Sequence, residues 1–136
     1  MLSLASTSLL GQTIKKCDGT VLHSTSGKIG QLNQKELTVF LLTFGKECRD
    51  NVEYSQWSNE LLFDLLDNQT ELMMKTIQKE KNKIDFEEIL NVISSPLLDE
   101  DIDKLIEKVK GTKVDAEFKK TIVDKLIIAQ DSYGNE

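Results

Sequence analysis

Residue types that commonly carry catalysis are scarce in this chain. His23 is the only histidine, and Ser24 and Ser26 beside it could supply a hydroxyl. A serine nucleophile needs a base that a third group orients, and no Gly-x-Ser-x-Gly motif marks a nucleophile elbow. A pairing of His23 with Cys48 would require the fold to bring them together. We therefore predict no catalytic residue and expect a protein that is not an enzyme.

A calcium site is the metal chemistry that the acidic residues suggest first. Asp99, Asp101 and Asp103 occupy the first, third and fifth positions of a calcium-binding loop. Such a loop also needs glycine at its sixth position and glutamate at its twelfth, where this chain has Lys104 and Lys110. We interpret the acids as the start of a helix, and we predict neither a metal nor a cofactor.

Two cysteines, Cys17 and Cys48, are the other reactive side chains. They form no Cys-x-x-Cys motif, so zinc binding and thioredoxin-like chemistry lack support. An even pair in an exported protein commonly closes a disulfide, and we predict that bond here. In a cytoplasmic protein the same residues would be two unrelated thiols.

The N-terminus bears on that choice of compartment. An apolar run of small residues from Leu2 to Leu10 ends at Gly11, as at the end of a secretory signal, although no lysine or arginine precedes Lys15. We interpret residues 1–12 as a remnant of such a signal and predict a periplasmic or secreted protein, with a cytoplasmic location as the alternative. The run is too short to span a bilayer, so stable membrane insertion is not expected.

Length, composition and charge favour one globular domain. The chain has 136 residues, of which 39% are hydrophobic and 29% charged, and these values suit an ordinary folded protein. Its formal net charge is −6, with 17 basic and 23 acidic residues. Because an acidic protein repels phosphate backbones, we expect no nucleic-acid partner.

Helix signals dominate after Leu32, and they predict an all-α fold. Asn33 with Glu36 forms a capping box, and the pattern recurs 35 residues later at Asn68 with Glu71. Asp85 starts a third such box, and Ser95 followed by proline starts another helix. The helices are expected at residues 34–47, 52–67, 69–80, 85–94, 96–110 and 114–130.

These segments predict a compact array of five or six amphipathic helices. The recurrence of the Asn-Gln-x-Glu-Leu pattern leaves open an arrangement of helix-hairpin repeats like that of an α-solenoid. Turn-forming residues fill 13–32, so we expect an N-terminal loop region there and a single helical domain over 33–136.

Aromatic residues are concentrated in one predicted helix, where Tyr54 and Trp57 share a face with leucines. Such a stripe most often packs in the core. The alternative is an interaction surface, since tryptophan and tyrosine dominate binding hot spots, with Glu53 and Glu60 as its acidic rim.

A non-catalytic, exported protein-binding module is the function that these observations favour. Its partner would be a basic protein, and its mode of action would be that of a small inhibitor, as in the immunity proteins that neutralise toxins. The alternative is a carrier of a small ligand or lipid, in which Phe63, Met73 and Met74 line a cavity between helices. A small enzyme is the third candidate.

Overall fold

Helices joined by short connections make up the computed structural model, which describes residues 14–134. In chain order the elements are α1 (Gly19–Ser26), α2 (Gln34–Leu42), a 3-10 helix (Lys46–Asp50), α3 (Val52–Asn68), α4 (Thr70–Glu80), α5 (Phe86–Ile93), α6 (Ile102–Lys110) and α7 (Ala116–Gly134). No strand occurs among the described residues. The all-α prediction is confirmed, with seven α-helices in this part of the chain; a repeat of helix hairpins is not confirmed.

Helix α3 is the central element of the fold. It contacts α1, α4, α5, α6 and the 3-10 helix, and it buries leucines on more than one side. Its Tyr54 ring packs edge to face on Phe44 with centroids 6.1 Å apart, and Phe44 packs in the same way on Phe40 of α2 at 5.2 Å. Polar residues of α3 that stay at the surface, among them Glu60 and Asp67, become important below.

Helix α1 lies inside the segment that the sequence analysis expected to be a loop. Asp18 caps it by accepting a hydrogen bond from the Thr20 amide at 3.0 Å, and Leu22 and Thr25 turn toward the core. With only these two residues buried, the segment has no apolar periodicity that would distinguish a helix from a polar loop. The loop prediction for residues 13–32 is therefore wrong over these eight residues.

Two other helices differ from their predicted bounds. The segment expected as one helix over 34–47 ends at Leu42, and a 3-10 helix follows from Lys46. The helix expected from residue 96 begins at Ile102, where the Asp101 carboxylate accepts from the Lys104 amide at 3.1 Å. Ser95 is thus not the cap, and the residues after it form an irregular loop.

The two Asn-Gln-x-Glu-Leu segments adopt different structures. At Asn33 the predicted capping box is present: the Glu36 amide donates to Asn33 Oδ1 at 2.8 Å, and the Asn33 amide donates to Glu36 Oε1 at 2.9 Å. Asn68 is instead the last residue of α3, and its side-chain amide donates back to the carbonyl of Asp64 at 2.8 Å. The prediction of a cap at Asn68 is wrong, because the preceding helix continues through that residue.

The predicted disulfide is confirmed. Cys17 and Cys48 are bonded, with their Cα atoms 5.4 Å apart, so the segment before α1 is tied to the 3-10 helix. The Cys17 amide also donates to the carbonyl of Thr43 at 2.8 Å, and Lys16 Nζ donates to that of Phe44 at 2.6 Å. The crosslink and these bonds fix the entry of the chain onto the end of α2.

Residues 1–12, interpreted as a signal remnant, lie outside the described residues. Among the helices that are described, none is both long enough and apolar enough to cross a bilayer.

Candidate interaction surface

Tyr54 and Trp57, for which core packing was expected and an interaction surface was the alternative, have different environments. Tyr54 is only 4% exposed, and its hydroxyl lies 2.6 Å from Thr43 Oγ1. Loss of hydration on burial raises the pKa of Tyr54 to about 12. Its ring therefore belongs to the core. Glu53 and Glu60 are exposed on the same helix, as a rim would require.

Trp57 is partly buried and forms the contact between α3 and α1. Its ring meets the exposed His23 edge to face, with centroids 4.7 Å apart. Ser24 and Ser26 donate their hydroxyls to backbone carbonyls of α1 and do not bond to the imidazole. The histidine–serine group is thus a helix surface that packs on a tryptophan, and Cys48, the other candidate partner of His23, is in the disulfide.

Two leucines on the loop between α5 and α6 are strongly exposed. Leu97 is 57% and Leu98 48% accessible to solvent, although the loop itself is well fixed. Buried Asn59 on α3 holds it: Asn59 Nδ2 donates to the carbonyl of Ser95 at 3.0 Å, and the Leu97 amide donates to Asn59 Oδ1 at 3.1 Å. The fold therefore orders a loop whose apolar side chains remain in water.

Five carboxylates lie on this loop or on the part of α3 that follows Asn59. Glu60, Asp64 and Asp67 recur at helical spacing on α3, and Asp99 and Glu100 follow Leu98 along the loop. Partial burial, and then the negative charges of the other four acids, raise the pKa of Glu100. The pKa of Asp64 is raised in the same way by burial and by Glu60 and Asp67. The acids of α3 and those of the loop therefore act on one another electrostatically.

We call these residues the acidic leucine surface. It consists of Glu60, Asp64, Asp67, Leu97, Leu98, Asp99 and Glu100.

Positive charge near the surface is sparse. Lys108 makes the ion pair found there, with its Nζ 2.7 Å from Asp67 Oδ1. Neither residues 50–74 nor residues 84–103 contain a lysine or arginine, yet together they hold 13 of the 23 acids. No group of three or more acidic, histidine or cysteine side chains in the described part of the chain is arranged to hold a metal ion. Among the five carboxylates near the leucines, Asp67 is the one with an ion pair in the described part of the chain.

A cleft of about 190 Å³ adjoins the surface: Leu97 belongs to both, and Asn59, which holds the loop, also lines the cleft. The buried carboxylate of Glu88, from α5, forms part of its wall and pairs with Arg49 of the 3-10 helix. Hydrogen bonding to Glu88 raises the pKa of Arg49. Every buried side-chain nitrogen and oxygen among the described residues has at least one hydrogen-bond partner.

The residues suggested for a ligand cavity lie in the core. Phe63, Met73 and Met74 have no exposed surface and pack among the other buried apolar side chains. They are close-packed in this structure, as core side chains usually are.

Comparisons of the chain with family models, with curated proteins and with solved structures gave no match.

Proposed function

We propose that the protein is an exported, non-catalytic binding module whose acidic leucine surface docks a basic segment of another protein. The observation that carries this proposal is the loop at Leu97 and Leu98. The buried amide of Asn59 keeps it ordered, yet two leucines project into water beside five carboxylates.

Exposed leucines supply the apolar part of the docking energy. Burying a leucine side chain that was fully exposed contributes about 1.5 to 3 kcal/mol, and an apolar patch with a polar rim is typical of interaction sites. Leu97 and Leu98 stand side by side on a fixed loop, so a partner would lose little free energy to ordering them.

The carboxylates select a cationic partner. Their mutual repulsion is unfavourable in the isolated protein, and a positive charge brought among them relieves it. A metal ion needs converging ligands, which the described acids do not offer. Lysine and arginine side chains on a polypeptide are spaced apart and flexible, which suits acids spread over a helix and a loop.

An oxidising compartment is consistent with this role. The Cys17–Cys48 disulfide would not persist in a reducing cytosol, so it supports the predicted periplasmic or secreted location. A small acidic protein that covers a basic surface in that compartment would act as an inhibitor of its partner.

Binding of a synthetic peptide tests the proposal. The probe is a helical peptide with lysines on one face and leucines on the other, labelled for fluorescence anisotropy. We expect saturable binding that weakens as ionic strength rises from about 0.05 to 0.5 M, because exposed charges are screened over that range. Peptides with glutamate in place of lysine, or with serine in place of leucine, should not bind.

Two variants with equal charge separate the surface from net charge. The acid-neutral variant is Glu60→Gln/Asp64→Asn/Glu100→Gln. The control variant is Glu47→Gln/Glu117→Gln/Asp131→Asn, which removes three exposed acids from other elements. We expect the first to lose the peptide and the second to keep it. Equal affinity of both variants for the peptide would overturn the proposal.

A further inference from the structure

We infer that the cleft beside Leu97 receives one cationic side chain of the partner, with Glu88 as its counter-charge. This inference rests on the proposed function, because the docked basic segment would deliver the cation. It adds a site that the acidic leucine surface does not contain, on a different helix.

The size of the cleft fits a single side chain. At about 190 Å³ it is smaller than the roughly 300 to 1,000 Å³ that small-molecule pockets occupy. It opens between the 3-10 helix, α3 and α5, and Leu97 of the exposed loop forms part of its edge. A segment docked on Leu97 would therefore have the cleft within reach of its next side chain.

Glu88 gives the cleft its chemical preference. The residue is only 6% exposed, so its negative charge lies largely away from water. A carboxylate offers about four acceptor positions. Arg49 places both of its shorter bonds on one oxygen: Nη2 lies 2.6 Å and Nε 3.1 Å from Glu88 Oε1. Within residues 14–134, the other oxygen, Oε2, is approached only by Nε at 3.4 Å, so acceptor capacity remains there.

An incoming cation could displace Arg49 as the counter-ion of Glu88. Its side chain is 55% exposed, against 8% for that of Glu88, so it can regain water if it moves aside. A second guanidinium or ammonium could share the carboxylate through Oε2 or replace Arg49 altogether. In either case Arg49 competes with the incoming cation, which gives the inference a test with a definite sign.

Small amino-acid amides test the cleft without any partner. N-acetyl-arginine amide is titrated into the isotopically labelled protein, and backbone amide shifts are followed. N-acetyl-citrulline amide, which has the same shape without the charge, is the control. We expect saturable shifts at Asn91, Ser95 and Leu97 with the arginine compound and none with the citrulline compound. Shifts that do not saturate, or equal shifts with both compounds, would overturn the inference.

Substitutions at the ion pair distinguish binding from a structural role. Arg49→Gln removes the competitor and should tighten binding of the arginine compound roughly tenfold. Glu88→Gln should abolish it, and Glu87→Gln, on an exposed neighbour in the same helix, should not change it. If Glu88→Gln fails to fold, Arg49→Gln still decides: weaker binding in that variant contradicts the assigned role.

The cleft and the surface can fail separately. If the arginine compound binds at the cleft but the basic peptide does not bind the protein, the proposed function fails and the cation site stands. If the peptide binds in an acid-dependent way but the arginine compound does not shift the cleft, the further inference alone is wrong.

Discussion

Two loops in this protein are fixed by side-chain amides in the same way, but their leucines lie in opposite environments. Gln69 accepts hydrogen bonds from the amides of Gly30 and Leu32, both at 3.1 Å, and donates to the carbonyl of Leu32 at 2.7 Å. Asn59 does the same for the loop between α5 and α6, through Ser95 and Leu97. In both cases a side-chain amide from α3, or from the residue after it, makes hydrogen bonds to loop backbone groups that have no partner in a helix or strand.

The leucines of the two loops differ sharply in burial. Leu32 is 4% exposed and joins the core, whereas Leu97 is 57% exposed. Fixing a loop costs conformational entropy, and in the first loop the burial of Leu32 offsets that cost. In the second loop the isolated protein gains no such burial from Leu97. Under the proposed function, a bound partner would supply the burial that the second loop lacks in the isolated protein.

Matched truncation of the two leucines gives the largest expected contrast. Leu32→Ala should lower the free energy of unfolding by about 2 to 5 kcal/mol, because it leaves a cavity in a packed core. Leu97→Ala removes the same atoms from a solvent-exposed site and should change stability by no more than about 0.5 kcal/mol. Urea unfolding of both variants measures the two values. Similar losses in both would mean that the second loop is part of the core in solution.

Loss of the Gln69 clamp should have the next largest effect. Gln69→Ala leaves two amides and one carbonyl of the first loop without their partner, at a cost of about 1 to 3 kcal/mol. Gln31→Ala, an exposed glutamine in the loop itself, is the control and should be nearly neutral. Equal unfolding midpoints for the two variants would show that the clamp contributes nothing.

The cap where the first loop ends should contribute less. Asn33→Ala removes one half of the capping box of α2 and should cost about 1 kcal/mol. Asn68→Ala alters the same residue type in the same pentapeptide pattern but at the end of α3, and its effect should be close to zero. A loss at Asn68 equal to that at Asn33 would restore Asn68 as a cap in solution.

That pair of asparagines also illustrates what sequence could predict. The predicted capping box forms at Asn33 because the backbone of Asn33 is extended there, so α2 starts after it and its first amides are left for the side chain to bond. At Asn68 the preceding helix α3 continues through the asparagine, so the same pentapeptide pattern ends a helix instead of starting one. Local patterns identify helices well, but whether a preceding helix continues is decided by tertiary packing.

The candidate surface was less accessible to sequence reasoning. Tyr54 and Trp57 were the aromatic candidates for an interaction surface. Tyr54 is buried, however, and the Trp57 ring packs on His23, so both rings make contacts within the fold. Leu97 and Leu98 fall within the helix predicted over 96–110, and no periodicity reveals that a loop will expose them to solvent. The absence of lysine and arginine from 50–74 and 84–103 was a visible signal, because segregated charge indicates an electrostatic surface.

Acidification should reduce the small loss of folding stability that the carboxylates of the acidic leucine surface cause. The pKa values of Asp64 and Glu100 are raised in the folded protein, so the fold gains stability from them below the unfolded pKa near 4 and loses it as pH rises through the folded values. At pH 7 the acid-neutral variant should therefore be slightly more stable than the natural sequence. The gap should close as the pH falls toward about 4, which thermal unfolding over that range will measure. A gap that widens on acidification would contradict the direction of these pKa shifts.

Unfolding midpoints measured with and without the basic peptide test most directly whether the acidic leucine surface binds a cationic partner. A ligand that binds only the folded state raises its stability. We predict that, at pH 7, the acid-neutral variant is the more stable protein alone, and that the peptide raises the unfolding midpoint of the natural sequence but not that of the variant. A variant that is less stable alone, or one that the peptide stabilises as much as the natural sequence, would contradict this account.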